Sequence, residues 1–248
     1  MQIIISPARR MQTDTDSFPT TQLPQFLDQT RQILQYLRGL TYPEIHQLWW
    51  NCSDKIARPN YAWVHQMDLQ RDLTPALIAF TGLQYQYMAP DVFSDQELVY
   101  VKEHLRILSG FYGLLRPFDG IVQYRLGMGD RARVAGTKNL YQFWGQRLAD
   151  QLYQENDLVL NLASQEYSKA IQPYVADERR FVTCRFVEAV AGKYKQKATL
   201  AKMARGNMVR YLASREATTL ATVQEFNIGY HFVAELSTPT ELTFVRDK

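Results

Sequence analysis

Cysteine is nearly missing from this sequence: Cys52 and Cys184 are the only two in 248 residues. Two such distant thiols supply neither a disulfide framework nor a clustered thiolate site, which suits a reducing cytosol. Histidine is almost as sparse. His46, His65, His104 and His231 lie far apart, without ligand spacing to a cysteine or carboxylate, so no metal site is expected. There is no Gly-x-Ser-x-Gly elbow, P-loop or dinucleotide fingerprint, and no cofactor is expected. No apolar run approaches the roughly 18 residues that span a bilayer. The opening MQIIIS has neither a basic flank nor a long apolar core, so no signal peptide is expected there. Repeats, low-complexity tracts and dividing linkers are missing too. The expectation is a cytoplasmic, monomeric protein forming one domain over residues 1–248.

Charge of one sign is also scarce: the formal net charge is only +3, too small to mark a polyanion binder by itself. With 46% hydrophobic and 21% charged residues, the composition is that of an ordinary globular protein with a substantial core. The distribution of charge says more. From Ala189 to Arg215 there are seven lysines and arginines and no acidic residue. Lys193, Lys195 and Lys197 alternate on a strand, so they project from one face. In the helix that follows, Leu200, Met203, Ala204 and Tyr211 share one face, while Lys202, Arg205 and Arg210 fall on the opposite arc and are expected to be exposed. Such a surface suits the phosphates of double-stranded DNA. Tyr194, Tyr211, Phe111 and Tyr112 could stack on bases where the duplex is locally opened. A solvated basic face that binds nothing is the alternative.

The run from Arg106 to Gly129, RILSGFYGLLRPFDGIVQYRLGMG, is dense in glycine and aromatic residues. Glycine favours turns and Pro117 ends any helix, so the run cannot be one regular element. It reads as an ordered, packed loop presenting Arg106, Arg116 and Arg125, or else as a plain core connection. Before it, Ser94 and Glu97 form a capping box, and Leu98, Val101, Leu105 and Leu108 follow at helical spacing. Thr41 and Glu44 open another helix, and a second starts near Asn60. The connection Ile56-Ala57-Arg58-Pro59-Asn60 would make the pair a helix-hairpin-helix, although proline there removes an amide donor for phosphate. An αα-hairpin that simply packs is the other reading.

Gln2–Ser6 and Asp157–Ala163 read as buried strands with polar exits. Phe181–Ala189 and Lys193–Ala198 form a hairpin through Ala191-Gly192, and a terminal hairpin links Tyr230–Leu236 to Glu241–Arg246. Helices interleave with these strands, which predicts an α+β fold with a mixed β-sheet surrounded by helices. Ligands gather at the carboxyl ends of strands in such sheets. If the first two strands neighbour each other in parallel, Ser6, Arg9, Asn161, Ser164 and Glu166 converge into a pocket. Glu166 would then be the acid–base candidate of an enzyme acting on a nucleobase or nucleotide. Alternatively, Ser164 merely caps a helix.

LRILSGFYGLLRPFDGIVQYRLGMG resembles the central signature of the YaaA-like peroxide stress proteins. ISPA at Ile5–Ala8, LYQFWG at Leu140–Gly145, NLASQEY at Asn161–Tyr167 and the Ala204-Arg205-Gly206 step continue the likeness in the family's order, over essentially the whole chain. The resemblance implies one domain of unusual mixed fold, DNA binding, and a role in limiting iron-driven damage under hydrogen peroxide. Where the family usually has lysine after ISPA this chain has Arg9, which keeps the charge but not an amine's chemistry.

Overall fold

Three consecutive β-branched side chains, Ile3, Ile4 and Ile5, give a strand no polar face, so both its sides must be covered. A computed structural model describes residues 1–247, the side chain of Glu155 excepted. In it β1 (Gln2–Ile5) is buried along its whole length. The later strands are β2 (Thr74–Pro75), β3 (Leu105–Ser109), β4 (Gly113–Leu115), β5 (Gly120–Ile121), β6 (Leu158–Leu162), β7 (Arg180–Val190), β8 (Lys193–Lys195), β9 (Tyr230–Phe232) and β10 (Glu241–Arg246). β2 and β5 form a small antiparallel ribbon. The others form one mixed sheet of eight strands in the order β4-β3-β1-β6-β7-β10-β9, with β8 paired to β7. β3, β1, β6, β7 and β10 run parallel, and β4 and β9 close the ends antiparallel.

Parallel neighbours need crossovers, and helices supply them. Between β1 and β3 lie α1 (Leu27–Arg38), α2 (Tyr42–Leu48), α3 (Asp54–Gln66), α4 (Ala76–Ala79), α5 (Leu83–Met88) and α6 (Asp95–His104). α7 (Leu140–Trp144) and α8 (Arg147–Glu155) precede β6, α9 (Gln165–Ser168) follows it, and α10 (Ala198–Ser214) and α11 (Leu220–Gln224) lie between β8 and β9. The fold is therefore α+β, with helices flanking a mixed sheet. One contiguous apolar core runs from Met1 to Phe244. Among the described residues no helix is long and apolar enough to cross a membrane.

Local chemistry accounts for many boundaries. The Ser94 amide donates to the Glu97 carboxylate at 2.7 Å and the Glu97 amide to Ser94 Oγ at 3.3 Å, starting α6. The Thr41 amide and hydroxyl both donate to Glu44 at the head of α2. Ala191 (φ 49°) and Gly192 (φ 74°) make the tight turn between β7 and β8, the conformation a short hairpin demands. Met11–Pro24 is largely exposed, yet Met11 bridges to Phe80 and Gln22 to Asp119, so the segment is tied down at both ends.

Other expectations are corrected. Leu105 and Leu108 continue the helical spacing of α6 but lie in β3, because Leu105–Ile107 pairs with Ile3–Ile5 and burial on both faces suits a strand. The supposed connection Ile56–Asn60 lies inside α3, with Pro59 in its exposed interior. The chain turns earlier instead, at Trp50 (φ 58°) and Asn51 (φ 49°). The apolar positions Leu140, Phe143, Trp144, Leu148 and Leu152 keep a helical spacing, but the run is broken into α7 and α8 at Gly145, whose φ of 52° no right-handed helix accommodates.

Candidate functional site

β1 and β6 are parallel neighbours, with Ile5 beside Leu162, so their carboxyl ends leave the sheet together. The Ser164 amide donates to Ser6 Oγ at 2.8 Å, and the Ser6 hydroxyl in turn donates to Ser164 Oγ at 3.2 Å. Ser164 does occupy the position before α9, but its side chain makes no capping bond to that helix. The Tyr85 hydroxyl donates to the Ser6 carbonyl at 3.0 Å, fastening α5 over the exit of β1.

A second wall comes from α5 against α10. Gly206 allows their contact: a Cβ there would lie 2.2 Å from the Gln84 carbonyl oxygen. The glycine-rich run supplies the third wall. Ser109 Oγ accepts the amides of Phe111 and Tyr112 and bonds the Tyr124 hydroxyl at 2.7 Å, while Trp144 Nε1 donates to the Gly110 carbonyl. Gly110 packs against Gly127 so closely that a Cβ would meet its backbone at 2.7 Å. The returning segment thereby lies against the start of α9, with Gly127 and Gly129 beside Glu166. There the Gly129 amide donates to Glu166 Oε1 at 3.1 Å and the Gly127 amide to Asp130 Oδ2 at 2.7 Å. Trp50 Nε1 reaches Asp130 Oδ1 at 2.8 Å from the turn before α3.

These walls enclose a cavity of about 280 Å³. Ser6, Arg9, Ser164 and Glu166, predicted as a pocket, all line it, and so do Arg125, Lys202 and Arg205. Asn161 does not. It is buried beneath the floor, where its amide donates to Thr183 Oγ1 and its oxygen accepts from the Ala163 amide. Lining residues without a sequence signal include Arg10, Trp49, Gln84, Tyr85 and Asp130; each reads locally as core, cap or surface. Five basic side chains face two carboxyl groups, Asp130 and Glu166. Burial raises the pKa of Asp130, partly offset by the Gly127 amide, the Trp50 indole and the charge of Arg9, while Glu166 adds to the rise.

The expected exposure of Arg205 is corrected: it is 8% exposed. α10 is covered by the sheet on one side and α5 on another, so the arc opposite its core face is not all solvent. Burial lowers the Arg205 pKa and raises that of the Cys184 thiol, each moderated by the other's charge. Lys202 and Arg210 stay exposed on α10, and Lys193 and Lys195 on β8. Lys197 is exposed but ion-paired to Glu188, which also pairs with Arg246 at 3.6 Å. Among the arginines of the central run, Arg106 is buried and donates to the carbonyls of Lys102 and Leu105, which fixes it in the fold rather than on a surface. Arg116 pairs with buried Asp119 at 3.1 Å. Arg125 alone of the three reaches the cavity.

The family model described as peroxide stress protein YaaA matches residues 1–236. The chain belongs to that family. It is 62% identical over 245 residues to a UPF0246 protein of Limosilactobacillus reuteri, covering 98% of both chains. It is 50% identical to one of Lactiplantibacillus plantarum, with 99% of each covered. With one of Pediococcus pentosaceus it shares 47% identity, covering 100% of this chain and 99% of the relative. The family description makes this a peroxide stress protein, so a YaaA family member carries the cavity on a mixed sheet. Among the described residues no group of three or more His, Cys, Asp and Glu could hold a metal ion.

Proposed function

We propose that this YaaA family member binds DNA during hydrogen peroxide stress and thereby limits iron-driven damage to it. One observation carries the reading: the exposed lysines of β8 run directly into α10, and Lys202 of that helix is itself part of a cavity rich in positive charge. Cations in such a series track a phosphate backbone and displace its counterions. A duplex is too bulky for the cavity, so it would lie across the outer surface, with Lys193, Lys195, Lys202 and Arg210 as the available contacts. Lys197 is a weaker contributor because Glu188 already neutralises it. Iron-driven damage arises where iron and peroxide meet at DNA, so a protein that covers DNA there needs no iron site of its own to limit it.

Duplex affinity should fall steeply with salt. Replacing Lys193 and Lys195 by alanine should lower it similarly for unrelated sequences and flatten the log–log salt slope by about 2 if each meets one phosphate. An unchanged affinity and slope in the folded double variant would remove this surface from the reading.

A second reading has its own support. Arg9 and Glu166 line one cavity beside the Ser6 and Ser164 hydroxyls, an arrangement that suits an enzyme acting on a nucleobase or nucleotide, with Glu166 moving the proton. Turnover of a nucleoside or opened DNA that disappears in Glu166→Gln would favour it over binding alone.

A further inference from the structure

We propose that the cavity is a binding site for a single phosphorylated nucleoside, taken either free or as an unpaired nucleotide of DNA. This goes beyond the duplex reading and rests on the cavity of the second reading, whose ligand class it names; as a statement about binding, it stands if duplex binding or turnover fails.

The first argument is a set of polar groups without partners. Among the described residues, Trp49 Nε1, Gln84 Nε2, Arg125 Nε and Arg205 Nε are buried donors that meet no acceptor. All four residues line the same cavity. Trp49, Gln84 and Arg205 are each more than nine-tenths buried. Buried donors are almost always paired in folded proteins, and all four of these unpaired donors belong to residues that line one space, so that a ligand there, with a small rotation of the side chains, would supply their acceptors.

The charges narrow the ligand. Five basic side chains against two carboxyl groups favour an anion, and guanidinium groups match the paired oxygens of a phosphate. A bare phosphate does not fit, since Asp130 and Glu166 can only accept when ionised and would repel it. The ligand must therefore also present N–H or O–H donors. A nucleobase edge and sugar hydroxyls supply them beside the phosphate. The lining agrees in kind, because Trp50, Tyr85, Tyr124 and Tyr167 put aromatic side chains around the space, and nucleobases pack well against such rings. Size sets the upper limit: about 280 Å³ is the small end of ligand pockets, large enough for one nucleotide and closed to a helix of paired strands.

The test is titration of the protein with each of the four nucleoside 5′-monophosphates, the unphosphorylated nucleosides and inorganic phosphate, followed by calorimetry and by the fluorescence of Trp49 and Trp50. At least one monophosphate should bind at one site per chain, with nucleoside and phosphate each weaker by about tenfold or more. Arg125→Gln, Arg9→Gln and Glu166→Gln should each weaken it by about fivefold or more. Arg9 and Arg125 are not buried, so their variants keep the fold. To separate the sources, a duplex with one unpaired nucleotide is compared with the same duplex fully paired. A preference for the unpaired form that Arg125→Gln abolishes assigns the pocket to DNA, and monophosphate binding without such a preference assigns it to free nucleotide. Lys193→Ala with Lys195→Ala should spare monophosphate binding, which keeps failure of the duplex reading distinct. Saturation by neither a monophosphate nor the unpaired duplex at millimolar concentration overturns the proposal, as do equal affinity for inorganic phosphate and unchanged affinity in the folded variants.

Discussion

The Ser6 hydroxyl holds the Ser164 amide at 2.8 Å across 158 residues of sequence. Together with the bond from the Ser6 hydroxyl to Ser164 Oγ, it joins the exits of β1 and β6 and ties the ISPA turn to the start of α9.

Removing the hydroxyl leaves the Ser164 amide without its acceptor. Ser6→Ala should therefore lower stability by about 1–2 kcal/mol, measured by urea unfolding. Ser164→Ala should cost less, because its amide keeps the bond to Ser6. Equal costs would mean that the two hydroxyls, rather than the amide, carry the junction.

The contact of α10 with α5 admits no side chain at Gly206, where a Cβ would sit 2.2 Å from the Gln84 carbonyl oxygen. Gly206→Ala should destabilise by roughly 3 kcal/mol through forced separation of the two helices. Gly39→Ala should stay within about 0.5 kcal/mol, since its Cβ would meet nothing closer than 3.4 Å. Thermal melts of both variants check this, and similar values for the two would contradict the close packing.

Burial raises the Asp130 pKa above its ordinary 3.8. The folded protein thus holds that proton at pH values where the unfolded chain has released it. The resulting stability is fully present below the unfolded value and is lost as pH rises through the elevated one. Asp130→Asn cannot titrate. The stability of the native protein relative to that variant should therefore fall as pH rises above 3.8 and then level off, measured by denaturation at a series of pH values. A relative stability that grows over this range would mean that Arg9 outweighs burial at the carboxyl group.

Much of the frame is local chemistry and was legible. The isoleucines of β1, the apolar run of β6, the two capping boxes and the Ala191-Gly192 turn each state their conformation within a few residues. The converging Ser6, Arg9, Ser164 and Glu166 could be named on the condition that two strands lie side by side. Nothing local supplied that condition. Leu105–Ser109 shows why: its spacing fits a helix as well as a strand, and pairing with β1 decides between them.

The sequence by itself determined the elements whose reasons are short-range: which runs cannot face water, where a cap or a left-handed turn must fall, and how positive charge gathers from Lys193 to Arg215. Only the tertiary structure decided what each charge does. It ties Lys197 to Glu188, seals Arg106 into the sheet, and turns Arg205 and Asp130 toward a common cavity. A side chain's role follows from what covers it. Asp130 is met by Trp50 across 80 residues and Arg205 is covered by a helix far earlier in the chain, and no periodicity encodes contacts at that range.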